Sequence, residues 1–122
     1  MILQIETRQL DPGITVVELA GRMSLGTQLS YAEDRISILI AGGVRKMILD
    51  LKALHYVDSS AIGVLVMLFG NMAKLGGQMR LAGPTQMVGK ILTIAHLHKI
   101  LPIDPDVAAS SRAFEKASAI GA

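Results

Sequence analysis

The sequence predicts a single α/β domain, a mostly parallel sheet of four to five strands with about four helices packed on it, in the order ββαβαβαβα. Three observations carry this. Segments of period two, or of unbroken apolar character, alternate along the chain with segments of period three to four. Met47-Ile48-Leu49 shows no polar alternation, as expected of a strand buried on both faces inside a parallel sheet. The glycine pairs Gly42-Gly43 and Gly76-Gly77 stand where helices should end. With 122 residues, 51% of them hydrophobic and 18% charged, the chain is long enough for a core and too apolar for disorder.

The elements follow in order. Leu3, Ile5 and Thr7 alternate with Gln4, Glu6 and Arg8, the period of a strand with one wet face, which suits a sheet edge. Asp11-Pro12-Gly13 has Pro and Gly where a type II turn needs them. Residues 14–21 form a second strand, apolar on both faces except for Glu18, and the two strands make a hairpin. In the first helix Leu29, Ala32, Ile36, Leu39 and Ile40 share a face, with Glu33, Asp34 and Arg35 towards water. Residues 44–51 are the third strand.

The second helix, about 59–75, has an inner stripe of Ile62, Leu65, Val66, Phe69, Met72 and Ala73. Val64, Met67 and Leu68 make it apolar on a further face, so it is either sandwiched or meets a partner. Residues 78–82 are the fourth strand, with Met79 and Leu81 pointing one way. Gly83-Pro84 opens a third helix, proline at its first position, with Val88, Ile91, Leu92 and Ala95 inward. Leu101-Pro102-Ile103 is at most a short edge strand. Asp104-Pro105 then starts a last helix, to about Lys116, with Val107 and Phe114 inward. The domain is expected to occupy 1–117 and a short frayed tail 118–122.

Composition removes several function classes. There is no cysteine, so disulfides, thiolate metal sites and a cysteine nucleophile are excluded. Lys and Arg exceed Asp and Glu by only two, Arg45-Lys46 is the only adjacent basic pair, and aromatics are 3%. These features argue against nucleic-acid binding. The N-terminus lacks the pattern of a secretion signal, and the longest uncharged apolar stretch, 61–70, falls far short of the roughly 20 residues that span a bilayer. A cytoplasmic protein without membrane insertion is expected.

Asp58-Ser59-Ser60 is the stretch that bears on function. Asp and Ser are preferred helix N-caps, because their side-chain oxygens accept otherwise orphaned backbone N–H groups. One cap suffices, however, and three polar residues are present. A serine on the first helical turn is reachable by another protein. A phosphate there adds about −1.5 to −2 charges, which a helix N-terminus tolerates and a packed partner surface does not. The residues alone leave cap and modification site open.

A serine hydrolase would use Ser59 or Ser60 as nucleophile with His55, His96 or His98 as base. Against it, Val57 and Ala61 stand where the glycines of a nucleophile elbow would flank Ser59. His96 and His98 diverge at the end of the third helix, with no carboxylate nearby in sequence to complete a metal site. Neither glycine pair precedes a Lys-Ser/Thr step, so there is no phosphate-binding loop. The methionines fall mostly at core spacing; Met67, Met72 and Met87 are the candidates for an adaptable binding surface. No catalytic residue, metal or cofactor is expected.

The stretch Ile48-Leu49-Asp50-Leu51, continued at Tyr56-Val57-Asp58-Ser59-Ser60-Ala61-Ile62-Gly63, resembles a STAS domain of the anti-sigma-factor-antagonist family. Gly21-Arg22-Met23 resembles the end of that family's second strand, and residues 76–83 its fourth. The resemblance implies a mixed sheet with helices mainly on one side, and a non-enzymatic partner-switching role. The unphosphorylated protein would bind an anti-sigma factor that is also a serine kinase. Phosphorylation of Ser59, with Ser60 as second candidate, would abolish binding, and a serine phosphatase would restore it. Ser24, Asp58, Ser59, Ser60, Ala61, Ile62 and Gly63 would form the partner-binding patch. Two positions depart from the pattern: Ala61 stands where many members have Gly, and Ser24 where many have an acidic residue. The family also includes subunits of lipid-transport ABC complexes, so a constitutive structural subunit is the alternative.

Overall fold

The structure is a computed structural model that describes residues 2–10 and 13–121, with side chains through residue 116. Its elements are β1 (Gln4–Leu10), β2 (Ile14–Met23), α1 (Thr27–Ala41), β3 (Lys46–Val57), α2 (Ser59–Lys74), β4 (Gln78–Ala82), α3 (Gln86–Ile94), β5 (Ile103–Asp104) and α4 (Val107–Gly121). A short 3-10 turn, Leu97–Lys99, follows α3. The five strands lie side by side in chain order. β1 and β2 are antiparallel and every later pairing is parallel, as α crossovers require. The mixed sheet and the order ββαβαβαβα agree with expectation. Of the turn expected at Asp11-Pro12-Gly13, Asp11 and Pro12 lie outside the described residues, and Gly13 has a φ of 70°.

Two apolar layers follow from strands that are apolar on both faces. On one face Val17, Leu19, Leu49, Leu51 and Leu81 pack under α1, α2 and α3. On the other, Ile14, Val16, Ile48 and Ala82 are covered by Phe114 of α4. Three helices therefore share one side and the fourth takes the other. β1, as predicted, is an edge strand, but it is open on both faces rather than one: Thr7 and Gln9 are exposed as well as Gln4, Glu6 and Arg8, and only Ile5 and Leu10 are half-buried.

The third strand is longer than expected: β3 continues through residues 52–57 and ends directly at Asp58. Its pairing with β2 slips twice. Glu18 and Ala20 partner Asp50 and Ala53, then Gly21 and Arg22 partner Leu54 and Tyr56, so β3 carries an extra residue each time. The first bulge is pinned by the buried Asp50 carboxylate, which accepts the Lys52 backbone N–H at 3.1 Å. At the second, Gly21 has a φ of 102° and lies so close to Ile2 that any Cβ would collide with its carbonyl. Only glycine fits there.

Three further details differ. The fully buried stripe of α2 is Ala61, Leu65, Leu68 and Met72, rotated from the expected one; Ile62, Val66 and Phe69 are half-buried and Ala73 is exposed. α3 starts at Gln86, capped by Thr85, whose Oγ1 accepts the Val88 N–H at 3.2 Å, so Pro84 precedes the helix. α4 starts at Val107 and runs beyond Lys116. Its cap is Asp106, which accepts the Ala109 N–H at 2.7 Å. Asp104 instead belongs to β5 and accepts from Arg80 at 2.7 and 3.1 Å and from the Ser110 hydroxyl at 2.6 Å. The cap moved because the Arg80 guanidinium on β4 already engages Asp104. The glycine pairs do end helices: the Gly42 and Gly43 N–H groups bond to Ile38 and Ile40, and those of Gly76 and Gly77 to Ala73 and Met72.

Candidate functional site

Parallel β2 and β3 deliver their last residues to the same end of the sheet, where Met23 partners Val57. The next residues, Ser24 and Asp58, therefore leave the sheet side by side. The Asp58 backbone N–H donates to the Met23 carbonyl at 3.2 Å, carrying the ladder one step past the strand. Asp58 itself is extended, with φ −104° and ψ −178°, the backbone of an N-cap.

Its carboxylate divides between two tasks. Oδ1 accepts the Ala61 N–H at 2.9 Å and closes the first turn of α2. Oδ2 accepts the Leu25 N–H at 2.9 Å and ties down the loop between β2 and α1. Partial burial opposes ionisation, but the N–H groups of Leu25, Ala61 and Ser60 outweigh it and hold the carboxyl below its ordinary value. The site thus carries a fixed negative charge.

The cap leaves the serines unused. Ser59 is exposed at the first position of α2 and Ser60 is half-buried. Neither hydroxyl has a hydrogen-bond partner among the described residues. The helix start is held by Asp58 alone, so a modified Ser59 hydroxyl would cost the fold no bond.

Around this point, Ser59, Gly63 and Met67 stand four residues apart and are all exposed, forming a stripe along the outer side of α2. A Cβ at Gly63 would meet nothing within 4 Å, so the backbone there is open to close approach. Ile62 and Ser24 are half-buried, whereas Ala61 is fully buried beneath the stripe and can act only as its support. Beside the loop, Leu25 is 79% exposed and Tyr31 on α1 is 54% exposed, flanking an open hollow that also includes Gly26, Thr27, Ser30 and Asp34. Leu25 and Tyr31 went unnoticed in the sequence, although an apolar residue just before a helix and off its inner face was the available signal.

The histidines lie elsewhere. His96 and His98, ring centroids 6.3 Å apart, sit at the 3-10 turn after α3, and His55 lies on β3. None is hydrogen-bonded to either serine among the described residues. Among those residues no cluster of three or more His, Asp or Glu is arranged to hold a metal, and no helix is long and apolar enough to cross a membrane.

The family model for the STAS domain matches residues 4–110. The chain belongs to the STAS domain family. The match runs from β1 into α4 and so includes both loops joined by Asp58. Among curated relatives, the anti-sigma F factor antagonist of Paenibacillus polymyxa is 27% identical over 108 residues, 84% of this chain and 87% of that one. Among solved structures, an anti-sigma factor antagonist from Mycobacterium paratuberculosis superposes with a TM-score of 0.79 at 18% identity, covering 91% of this chain and 92% of the other. The phosphorylated form of the Bacillus cell fate determinant SpoIIAA superposes with a TM-score of 0.69 at 19% identity, covering 90% and 99%. These structures share the STAS fold with this chain.

Proposed function

We propose that this STAS domain protein is an anti-sigma-factor antagonist, a non-enzymatic binding module switched by phosphorylation of Ser59. The single observation that carries this reading is the division of labour at the start of α2. Asp58 supplies the whole cap, and Ser59 presents an unengaged, exposed hydroxyl on an otherwise firmly held backbone. Curated relatives and structural neighbours named as anti-sigma factor antagonists support it, as does the existence of a neighbour in a phosphorylated form.

The partner is an anti-sigma factor with serine-kinase activity, and a serine phosphatase reverses the switch. Ser24, Asp58, Ser59, Ser60, Ile62 and Gly63 make up the contact patch, supported from beneath by Ala61 and extended by Leu25 and Tyr31. A phosphate on Ser59 adds about −1.5 to −2 charges beside the ionised Asp58. The α2 dipole keeps this tolerable in the free protein. A partner packed over the stripe would have to bury both charges. A hundredfold loss of affinity needs only about 2.8 kcal/mol, within reach of one such buried clash.

The reading is tested by incubating the chain with the cognate kinase and ATP and mapping the phosphate. Modification of Ser59, lost in Ser59→Ala, is expected. Phosphate confined to another residue, or recovery of the chain from its cell only as a fixed subunit of an ATPase–permease complex, would overturn it.

A further inference from the structure

β1 is an outer strand, paired with β2 on one side and with no described part of the chain on the other. It pairs with β2 without a bulge over all seven residues, and only Ile5 and Leu10 of these are not exposed. Such an edge offers a row of unpaired N–H and C=O groups to any further strand, and charges are one common protection against this. The placement of the charges on β1 has a further property. Glu6 and Arg8 are opposite in sign, lie on one face of the sheet, and flank Thr7 symmetrically.

If a second copy of β1 pairs antiparallel about a two-fold axis through Thr7, each Glu6 faces Arg8 of the other copy. Sliding the register by two residues in either direction instead sets Glu6 against Glu6 or Arg8 against Arg8. One register is therefore favoured over its neighbours by charge alone. Within the chain, the residue directly opposite Glu6 is Glu18, a like charge. Arg8 binds Glu18 through Nε at 3.2 Å, while Glu6 has no cationic partner among the described residues. Arg8 of a second copy, whose terminal guanidinium nitrogens have no partner among the described residues, supplies a counter-ion to Glu6. On the opposite face Thr7 and Gln9 are exposed, so no helix covers the axis.

We infer that β1 is the interface of a symmetric homodimer in which two five-stranded sheets join edge to edge, with Thr7 on the axis and Glu6–Arg8 pairs on either side. A ladder of this size is smaller than the interfaces of stable complexes, about 1,200–2,000 Å², so the association is reversible and concentration-dependent. The inference does not depend on the function of Ser59.

Sedimentation equilibrium of the whole chain over a wide concentration range, with E6R and R8E, tests it. The unchanged chain should dimerise, and each single variant should self-associate at least tenfold more weakly. An equimolar mixture of E6R and R8E should recover a dimer, because the arginines of one then face the glutamates of the other. The double variant E6R/R8E should also recover it. Recovery in the mixture would show at once that both single variants are folded. An unchanged chain that stays monomeric throughout would assign the two charges to protecting the edge and overturn the inference. A dimer equally strong in both single variants, or a mixture that does not associate, would overturn it as well.

Discussion

The carboxylate of Asp58 accepts the backbone N–H of Leu25, a residue 33 positions earlier in the chain, at 2.9 Å. The same group accepts the Ala61 N–H at 2.9 Å, so one side chain holds two loops at the shared end of β2 and β3. Its removal therefore has two consequences, one within α2 and one across the site. Asp58→Ala should destabilise the protein by about 1–3 kcal/mol, the combined effect of a lost cap and an orphaned loop N–H. Asp58→Asn keeps an acceptor oxygen and should cost less. Urea denaturation of both variants measures this, and an unchanged midpoint for Asp58→Ala would contradict the assignment.

The serines should behave in the opposite way. Ser59 and Ser60 contribute no side-chain hydrogen bond among the described residues, so Ser59→Ala and Ser60→Ala should each leave stability within about 0.5 kcal/mol of the parent. Thermal unfolding checks this. A large loss at Ser59 would return it to a structural role.

How much of this was legible in the sequence differs from residue to residue. The edge position of β1, the buried β3 and the glycine-terminated helices all follow from local periodicity and local backbone need. The second half of β3 did not, because two bulges break its period and place residues of mixed polarity in succession. The inner face of α2 was misplaced because apolar residues occupy nearly every position from 61 to 69, leaving little periodicity to read. The sequence 104–106 offers two aspartates as a cap, and the choice falls to Arg80, 24 residues away, which engages Asp104. At the site, Asp58 was recognisable as a cap, but its second bond is a long-range contact that no local pattern announces. That bond is what separates Asp58 from Ser59 in role.

Acid should unfold the protein through identifiable carboxylates. Asp58 and Asp104 are both held below the ordinary value of 3.8: burial opposes their ionisation, but backbone N–H groups at Asp58 and Arg80 with Ser110 at Asp104 outweigh it. A carboxyl depressed in the folded state contributes stability that is fully present above its unfolded pKa and is lost as pH falls through the folded one. Stability should therefore fall below about pH 4. Asp104→Asn should lower stability at pH 6 yet flatten its decline in acid, as read from urea midpoints between pH 2.5 and 6. A decline in Asp104→Asn as steep as in the parent would contradict this.

Phe114 anchors α4 to its face of the sheet, where it is 2% exposed against Ile14, Val16, Ile48 and Ala82. Phe114→Ala should cost about 3–5 kcal/mol. The loss should concentrate on the α4 side, so hydrogen exchange should accelerate most in α4 and β5. A uniform small change across the sheet would show that α4 contributes little to this layer.

A phosphate on Ser59 is proposed to switch partner binding without unfolding the chain. The most direct test of this switch is the affinity of the anti-sigma factor for unphosphorylated and Ser59-phosphorylated protein, measured by calorimetry with circular dichroism on both forms. Phosphorylation should weaken affinity at least a hundredfold, about 2.8 kcal/mol, with unchanged helix content. Equal affinity for the two forms, or a phosphorylated chain that has lost its fold, would contradict it.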